Sequence, residues 1–569
     1  MHGHQFRAIQ QVRTPPIRIV SAVLLALLAA TMVALEHGFT TDRVSSGLLG
    51  FLQITLCWFA FAAWGDLHPT RFSRNRWMSL FALIAEPIVL LIAIIEIAGV
   101  PGAGELLAVG TTIALLIRVN GELARSMSNP SVLFPASFII LISISAALLK
   151  LPAATPADQP ISWIDAFFTA TSAVCVTGLA VRDTASGFTD FGQAVVLGSI
   201  QLGGLGVMIF GSTLALLFGA RLSHREHMTL SKALDEYPVH RITRFAWFIV
   251  LTTVLLEALG ATIIYLTLPA DPSMTDSERV WFAVFHSISA FCNAGFDITG
   301  NSMIPFRNAL PTYLGIIPMI IMGGIGFMVL EDVYRKVRDR IKGKSNRIRL
   351  TTHSKLVIAT TATLIFAGAL VIFTAQAHAA GHATPQQALD ALFMSTTSRT
   401  AGFTSMPMDE LTSGSRFVIM LLMFVGGSPG STAGGVKTVV FAVLILSIIS
   451  TVRGRDEVEV FGRALSDATV KKAGAVVAGL LGTISAAMLI LDLIEKIPFE
   501  PLLFEVISAA TTTGLSLGIT ADLSPVGRIV ITITMFLGRV GALALLASLV
   551  GVTGKAARYQ LPRDTVSLG

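Results

Sequence analysis

The chain has 569 residues, of which 53% are hydrophobic and 13% charged, about half the charged share of an ordinary soluble domain. A mean hydropathy of +0.73 excludes a single soluble globule, and the formal net charge of +6 does not indicate a nucleic-acid binder, because the basic residues sort by membrane side. Three cysteines, Cys57, Cys175 and Cys292, are too few and too scattered for a disulfide framework or a zinc site.

In chain order, the first 18 residues carry three arginines without a cleavable-signal pattern, and the run after Ile17 is long enough to remain as a span. Four apolar runs occupy residues near 17–36, 47–65, 78–98 and 103–118, each long enough for a membrane helix. From about residue 130 a pattern of long run, short run and long run recurs four times. Long runs fall near 131–150 and 191–218, 245–267 and 311–334, 355–377 and 416–450, and 473–494 and 525–551. Short helices are predicted near 163–173, 281–291, 385–397 and 500–511; they cannot cross a bilayer and must be re-entrant. The reading is an all-α polytopic membrane protein of twelve spans and four re-entrant segments. Its expected divisions are an N-terminal four-span region (1–128), repeats over 129–235, 236–353, 354–470 and 471–552, and a tail over 553–569.

Each short helix runs into a glycine turn: TSAVCVTGL at Leu179, SAFCNAGF at Phe296, STTSRTAGF at Phe403 and SAATTTGL at Leu515. The glycines Gly178, Gly295, Gly402 and Gly514 are spaced by 117, 107 and 112 residues, a fourfold internal repeat. The register extends upstream to Phe168, Phe285, Leu392 and Phe504, and to Ser172, Ser289, Thr396 and Ser508. Cys175 and Cys292 hold equivalent positions, where a small, soft, buried residue suffices.

Four leading spans and hairpin-like repeats put both termini and the inter-repeat loops on one side. That side holds 30 of the 41 Lys and Arg residues and the opposite side 9, so it is expected to be cytoplasmic. Its densest block begins at Tyr334 (YRKVRDRIKGKSNRIR), expected to set topology and attract anionic lipid, with docking of a cytosolic subunit as the sharper alternative.

The glycine turns point to a cation site. A potassium ion entering the membrane must lose hydration, an uncompensated cost of order tens of kcal/mol, and rings of backbone carbonyls replace the lost water. Carbonyls align in this way where a residue accepts positive φ or close chain approach, which glycine does without a Cβ penalty. Short helices whose C-terminal ends face a common axis add a favourable dipole for a cation.

These stretches resemble the four filter loops of the Trk/Ktr/HKT superfamily of potassium transporters, over roughly residues 130–569. The resemblance implies four helix–pore helix–filter–helix repeats around one pore, with the four leading spans outside the core pattern. It implies a K⁺ filter formed by Cys175, Val176, Thr177 and Gly178, by Cys292, Asn293, Ala294 and Gly295, by Thr400, Ala401 and Gly402, and by Thr512, Thr513 and Gly514. Members that favour sodium often carry serine at the first glycine; here all four are glycine, which favours potassium. The resemblance also implies a homodimer on a ring of cytosolic nucleotide-binding regulatory subunits, contacted through the basic loops and the tail from Gly554.

The closing run of each repeat is expected to open with a small-residue quartet: GGLG at 203–206, GGIG at 323–326, GGSPG at 426–430 and GRVG at 538–541. Arg539 replaces a glycine there and needs water or a carboxylate near mid-membrane; Glu505 is its expected partner. The third closing run is interrupted by GGSPGSTAGGVKT, which cannot continue a helix. It is not a phosphate loop, since Val436 stands where the lysine is required. The resemblance points to an intramembrane gating loop of Gly426, Gly427, Ser428, Pro429, Gly430, Ser431, Thr432, Ala433, Gly434 and Gly435, anchored by Lys437, with Arg539 completing the inner barrier.

Arg399 is expected to turn from the axis and bond pore-loop carbonyls. Asp183, Asp297, Asp409 and Asp522 are open between a cation-concentrating role and ordinary loop acids. Asp165 reads as a cap or dipole partner, and Trp163 and Trp281 as interfacial anchors. Glu86, Glu96 and Arg118 are open between a pair and a sensor. No enzyme motif is present. The expected function is K⁺ uptake into the cell through the inner or plasma membrane, with no organic cofactor. One alternative is a sodium-permeable or sodium-coupled transporter of the same fold; another, of a different class, is an organic-solute transporter built from inverted repeats. A structural scaffold would not need four matched glycines.

Overall fold

The computed structural model of the chain describes residues 130–206, 242–269, 274–309, 311–343 and 350–541. The four leading spans, with Glu86, Glu96 and Arg118, and the tail lie outside the described residues. Three helices within them are long and apolar enough to cross a membrane, as expected of a helical membrane protein.

Four similar units follow one another. The first holds α1 (Pro130–Leu149), α2 (Trp163–Val174) and α3 (Asp190–Leu205). The second holds α4 (Ile242–Thr267), α5 (Asp276–Cys292), a π turn (Pro311–Ile316), α6 (Ile317–Ile325) and α7 (Phe327–Ile341). The third holds α8 (Thr352–Ala380), α9 (Pro385–Thr397), α10 (Ser413–Phe424) and α11 (Thr438–Val452), followed by a small hairpin of β1 (Val458–Val460) and β2 (Arg463–Leu465). The fourth holds α12 (Asp467–Ile494), α13 (Phe499–Thr511) and α14 (Pro525–Val540). The short helices fall where the apolar runs predict them, although α5 starts five residues earlier than read, because Thr275 and Glu278 build a capping box ahead of the apolar stretch. Ser162 and Thr384 likewise cap α2 and α9.

Within each unit the long first helix packs on the short one, and each short helix is buried along most of its length. Between units the packing is cyclic: α3 lies on α5, α6 on α9, α10 on α13, and α14 back on α2. A polar clasp marks each seam, always from the start of a closing run to the start of the next short helix. Trp281 Nε1 donates to Gln193 Oε1 at 3.0 Å. Arg307 pairs with Asp390 at 2.6 Å, Arg416 with Glu500 at 3.5 Å, and Arg528 with Asp165 at 2.6 Å. Asp165 is therefore an inter-unit ion partner as well as a first-turn acid of α2. Trp281 is a seam residue, whereas Trp163 is exposed as an interfacial anchor should be.

The closing runs differ from expectation. The small-residue quartets do not open them; they end their first halves. The breaks fall at Gly206, Gly326 and Gly541, with φ of 75°, 94° and 86°, a region that costs a side chain its Cβ clearance. In the second unit the chain turns by 101° between the Pro311–Ile325 stretch and α7. In the third the break widens into the glycine-rich segment between α10 and α11.

The seams differ in strength. Asp390 is buried and also accepts from Ser405 Oγ and Gln386 Nε2 at 3.2 Å each. Its hydrogen bond holds the Arg307 guanidinium above its ordinary pKa. Asp390→Ala leaves that cation unpaired and is expected to cost about 3 kcal/mol, whereas Glu500→Ala, at a half-exposed and longer pair, is expected to cost less than about 1 kcal/mol. Thermal unfolding in detergent, compared across the two variants, checks the order.

Candidate functional site

At the end of each short helix the chain enters a left-handed turn. The residue two before each glycine has positive φ: Val176 57°, Asn293 58°, Thr400 75° and Thr512 52°. The glycines follow at 94° (Gly178), 70° (Gly295), 83° (Gly402) and 91° (Gly514). The turn amides fold back on the helix: Thr177 N donates to Ser172 O at 2.7 Å, Ala294 N to Ser289 O at 2.8 Å, Ala401 N to Thr397 O at 2.8 Å and Thr513 N to Ser508 O at 2.9 Å. The matched serines add a second bond in the first and fourth units, where Ser172 Oγ and Ser508 Oγ accept from the Gly178 and Gly514 amides at 3.1 and 3.0 Å. Ser289 instead donates to Phe296 O at 2.7 Å.

The four turns touch in a cycle. A Cβ on Gly178 would strike the Ala294 carbonyl oxygen, one on Gly295 would lie 2.7 Å from Ala401 O, one on Gly402 2.5 Å from Thr513 O, and one on Gly514 would strike Thr177 O. Each glycine is thus fitted against the carbonyl just before the glycine of the next unit, and the last closes on the first. A side chain at any of them is strained twice, by φ and by close contact with a carbonyl. The flanking Cys175, Val176, Cys292, Asn293, Ala294, Thr400, Ala401, Thr512 and Thr513 are all buried. Cys175 and Cys292 are buried thiols without a disulfide. Left-handed Val176, Thr400 and Thr512 were not foreseen; β-branched residues avoid that region, and their presence marks backbone held by its surroundings.

The glycine-rich segment lies against these turns. Gly427 N donates to Gly434 O at 3.3 Å and Thr438 N to Gly427 O at 2.9 Å, closing the loop on itself, with Ser428 and Thr438 hydroxyls 2.9 Å apart. Its far side is tied to the second unit: Ser428 N to Gly324 O at 2.9 Å, and Phe327 N to Gly430 O at 3.0 Å. A Cβ on Gly434 would strike Thr512 Oγ1, which sets the loop directly against the fourth turn. Lys437 Nζ donates to Ala433 O at 2.7 Å, anchoring the loop's end. Arg399 donates to Gly426 O at 2.8 Å, a carbonyl of the glycine-rich segment and not of the glycine turn expected from the sequence.

Thr432 is the hub that the sequence did not single out within the loop. Its amide donates to Gly323 O at 3.3 Å, its hydroxyl donates to Phe291 O at 3.0 Å, and Asn293 Nδ2 donates to that hydroxyl at 3.0 Å. Arg539 Nη1 donates to Thr432 O, and Nη2 to Gly203 O at 2.8 Å. One guanidinium therefore links the fourth, third and first units. The pairing expected with Glu505 is not made: that carboxylate accepts from Ser516 Oγ at 2.7 Å and Thr520 Oγ1 at 2.5 Å. Backbone carbonyls exposed at two helix breaks satisfy Arg539 instead. Among the loop acids, Asp183 caps the Thr184–Gly187 turn and Asp297 accepts from the amides of Thr299 and Ser302.

The fold and these turns define an integral membrane protein of the ion-transporter class. The family described as TrkH, cation transport protein, matches residues 108–551, and the chain belongs to that family. It is similar to the Ktr system potassium uptake protein D of Bacillus subtilis, 37% identical over 79% of this chain and 99% of that protein. The potassium/sodium uptake protein NtpJ of Enterococcus hirae is 32% identical over 78% of this chain and 98% of that one. The crystal structure of the potassium transporter TrkH from Vibrio parahaemolyticus shares the fold, with a TM-score of 0.60, 19% identity and coverage of 84% of this chain and 97% of that one. The family match begins within the last of the leading runs and so reaches further toward the N-terminus than the repeats read from sequence.

The quartet glycines give a direct test of this packing. A Cβ on Gly203, Gly323 or Gly538 would strike the carbonyl of Val174, Phe291 or Ala510 at the end of a short helix, whereas one on Gly198 meets open space. Gly203→Ala is expected to cost at least about 1–3 kcal/mol as overpacking and Gly198→Ala less than about 0.5 kcal/mol, measured by thermal unfolding of the purified protein.

Proposed function

We propose that the chain carries K⁺ into the cell through one pore, lined where the four glycine turns meet. Four helix–pore helix–filter–helix repeats, over 129–235, 236–353, 354–470 and 471–552, surround that pore, and the four leading spans lie outside it. The single observation that carries the reading is the cycle of glycine-to-carbonyl contacts from Gly178 through Gly295 and Gly402 to Gly514. A closed ring of peptide carbonyls is the chemistry that replaces the hydration of an alkali cation. Two further observations support it. The hydroxyls of Thr177, Thr400 and Thr512 are buried without a hydrogen-bond partner among the described residues, and unsatisfied buried oxygens are sites for water or a cation. The short helices end at the ring, so their C-terminal dipoles favour positive charge there.

In this reading the Gly426–Gly435 loop is the inner barrier, and Arg539 holds it shut through Thr432. The sides follow the charge count, with both termini cytoplasmic and the ring's outer mouth opposite. In this reading the chain works as a homodimer with cytosolic nucleotide-binding subunits; relatives named as parts of a Ktr potassium uptake system support the association with regulatory subunits. The Enterococcus relative named for potassium and sodium uptake favours a second reading, in which sodium also passes or is coupled. An organic-solute carrier would need antiparallel halves; the same-handed cycle of seams weighs against it.

Uptake of Rb⁺ and Na⁺ by potassium-uptake-deficient cells tests the assignment. The chain is expected to favour Rb⁺ by at least about tenfold, and Gly178→Ser to reduce that preference by about 1.4 kcal/mol or more. Equal preference in the two proteins overturns the placement of the first turn in the filter. Shortening 427–434, or Arg539→Gln, is expected to raise Rb⁺ flux severalfold; unchanged flux in a correctly inserted variant removes the loop from the barrier.

A further inference from the structure

The 101° turn at Gly326 sets α7 off the line of the helices before it. With those helices standing across the bilayer, α7 lies closer to the membrane plane than to its normal. Its side chains are sorted accordingly. Val333, Val337 and Ile341, at four-residue spacing, form with Tyr334 one exposed apolar stripe, and Ile341 is 80% exposed. The stripe continues the line of Phe327 and Leu330, which are buried in the protein; Tyr334 still packs on Phe248 of α4 with ring centroids 5.8 Å apart, while Val333, Val337 and Ile341 are left exposed among the described residues. On the opposite face Asp332 accepts from Thr351 Oγ1 and Ser354 Oγ at 2.6 Å each, fastening the helix to the start of α8. The second acid on that face, Asp339, is buried.

Basic residues flank the stripe on both sides. Arg335 pairs with Glu331 and Arg338 with Asp339 inside the helix, while Lys336, Arg340 and Lys342 are exposed. The sequence just beyond adds Lys344, Arg347 and Arg349. An apolar stripe with cationic flanks and acids turned away is the pattern of a helix lying at the bilayer interface, its basic side chains reaching headgroup phosphates. A soluble partner would be met by a polar face, and a second copy would bring like charge against like charge.

We propose that α7 is an interfacial helix that takes the phosphates of anionic phospholipids on Lys336, Arg340 and Lys342, and that this contact sets the position of the glycine-rich loop. The mechanical link is short. The first amide of α7, on Phe327, donates to Gly430 O at 3.0 Å, and a Cβ on Gly326 would lie 2.6 Å from Pro429 O. Movement of α7 toward or away from the headgroups therefore reaches the loop through one hydrogen bond and one backbone contact. The lipid contact stands alone, while its effect on flux rests on the proposed transport function.

The test uses the full chain in proteoliposomes. Bimane is attached at Ile341→Cys in a Cys57→Ser background, where Cys175 and Cys292 are buried. Brominated phosphatidylglycerol is expected to quench it at least about twofold more than brominated phosphatidylcholine at equal mole fraction, because basic residues near the surface draw anionic headgroups to the helix. The difference is expected to vanish in Lys336→Gln/Arg340→Gln/Lys342→Gln and to survive in Lys336→Arg/Arg340→Lys/Lys342→Arg, which keeps the charge and controls for folding. Equal quenching by the two lipids overturns the headgroup site, and no quenching by either shows that another surface covers the stripe and overturns the interfacial placement. Rb⁺ flux of the chain without the label is expected to differ severalfold between liposomes with and without phosphatidylglycerol, and flux of the triple glutamine variant to be the same in both. Preferential quenching with lipid-independent flux overturns the link to the loop. Preferential quenching with no Rb⁺ flux at all leaves the lipid site standing and fails the transport reading instead.

Discussion

Backbone against backbone, without side chains between, is the constraint on which the rest of the molecule depends. At Gly178, Gly295, Gly402 and Gly514 the chain passes so close to the next unit's carbonyl that a single added carbon does not fit. That closeness needs left-handed backbone at the glycine and again two residues earlier. Such turns have little stability of their own. They are held by the short helices behind them, whose serine and threonine oxygens take the turn amides. The long first helices bury those short helices, and the seam clasps keep the four units in register.

The same logic extends one layer below. Gly203, Gly323 and Gly538 rest on the terminal carbonyls of three short helices, and the chain breaks just past each. These breaks free carbonyls inside a membrane protein, where an unsatisfied polar group is costly. Arg539 and the loop amides of Ser428 and Thr432 take them up. Arg539 is bonded to carbonyls rather than to a carboxylate, so these bonds bring no counter-charge to its guanidinium. In the proposed function that charge opposes a cation below the ring, and removing it also releases the loop through Thr432.

Much of this was legible in the sequence, and the reasons are physical. Helix lengths follow from apolar runs because the bilayer sets the length, so α2, α5, α9 and α13 stand where the runs place them. The glycine register is legible because no other residue meets the steric demand. The quartets were misplaced because a glycine pair reads alike at the start of a helix and at its break; the length of helix that precedes it is fixed by packing on the next unit. Arg539 was assigned to Glu505 because sequence offers charges and hides carbonyls. The seam residues Gln193, Arg307, Arg416 and Arg528 carry no motif in the sequence, since their shared role depends on which helix comes to lie beside them. The left-handed Val176, Thr400 and Thr512 run against local preference and become visible only once the neighbouring units are in place.

The central claim is that peptide oxygens from all four units surround one dehydrated cation. Anomalous diffraction from crystals grown with Tl⁺ in place of K⁺ tests it most directly. The account predicts a Tl⁺ peak on the common axis, ringed by carbonyls of residues 176–177, 293–294, 400–401 and 512–513. A peak bound to fewer than four units, or Tl⁺ sites that all lie away from the glycine turns, would contradict it.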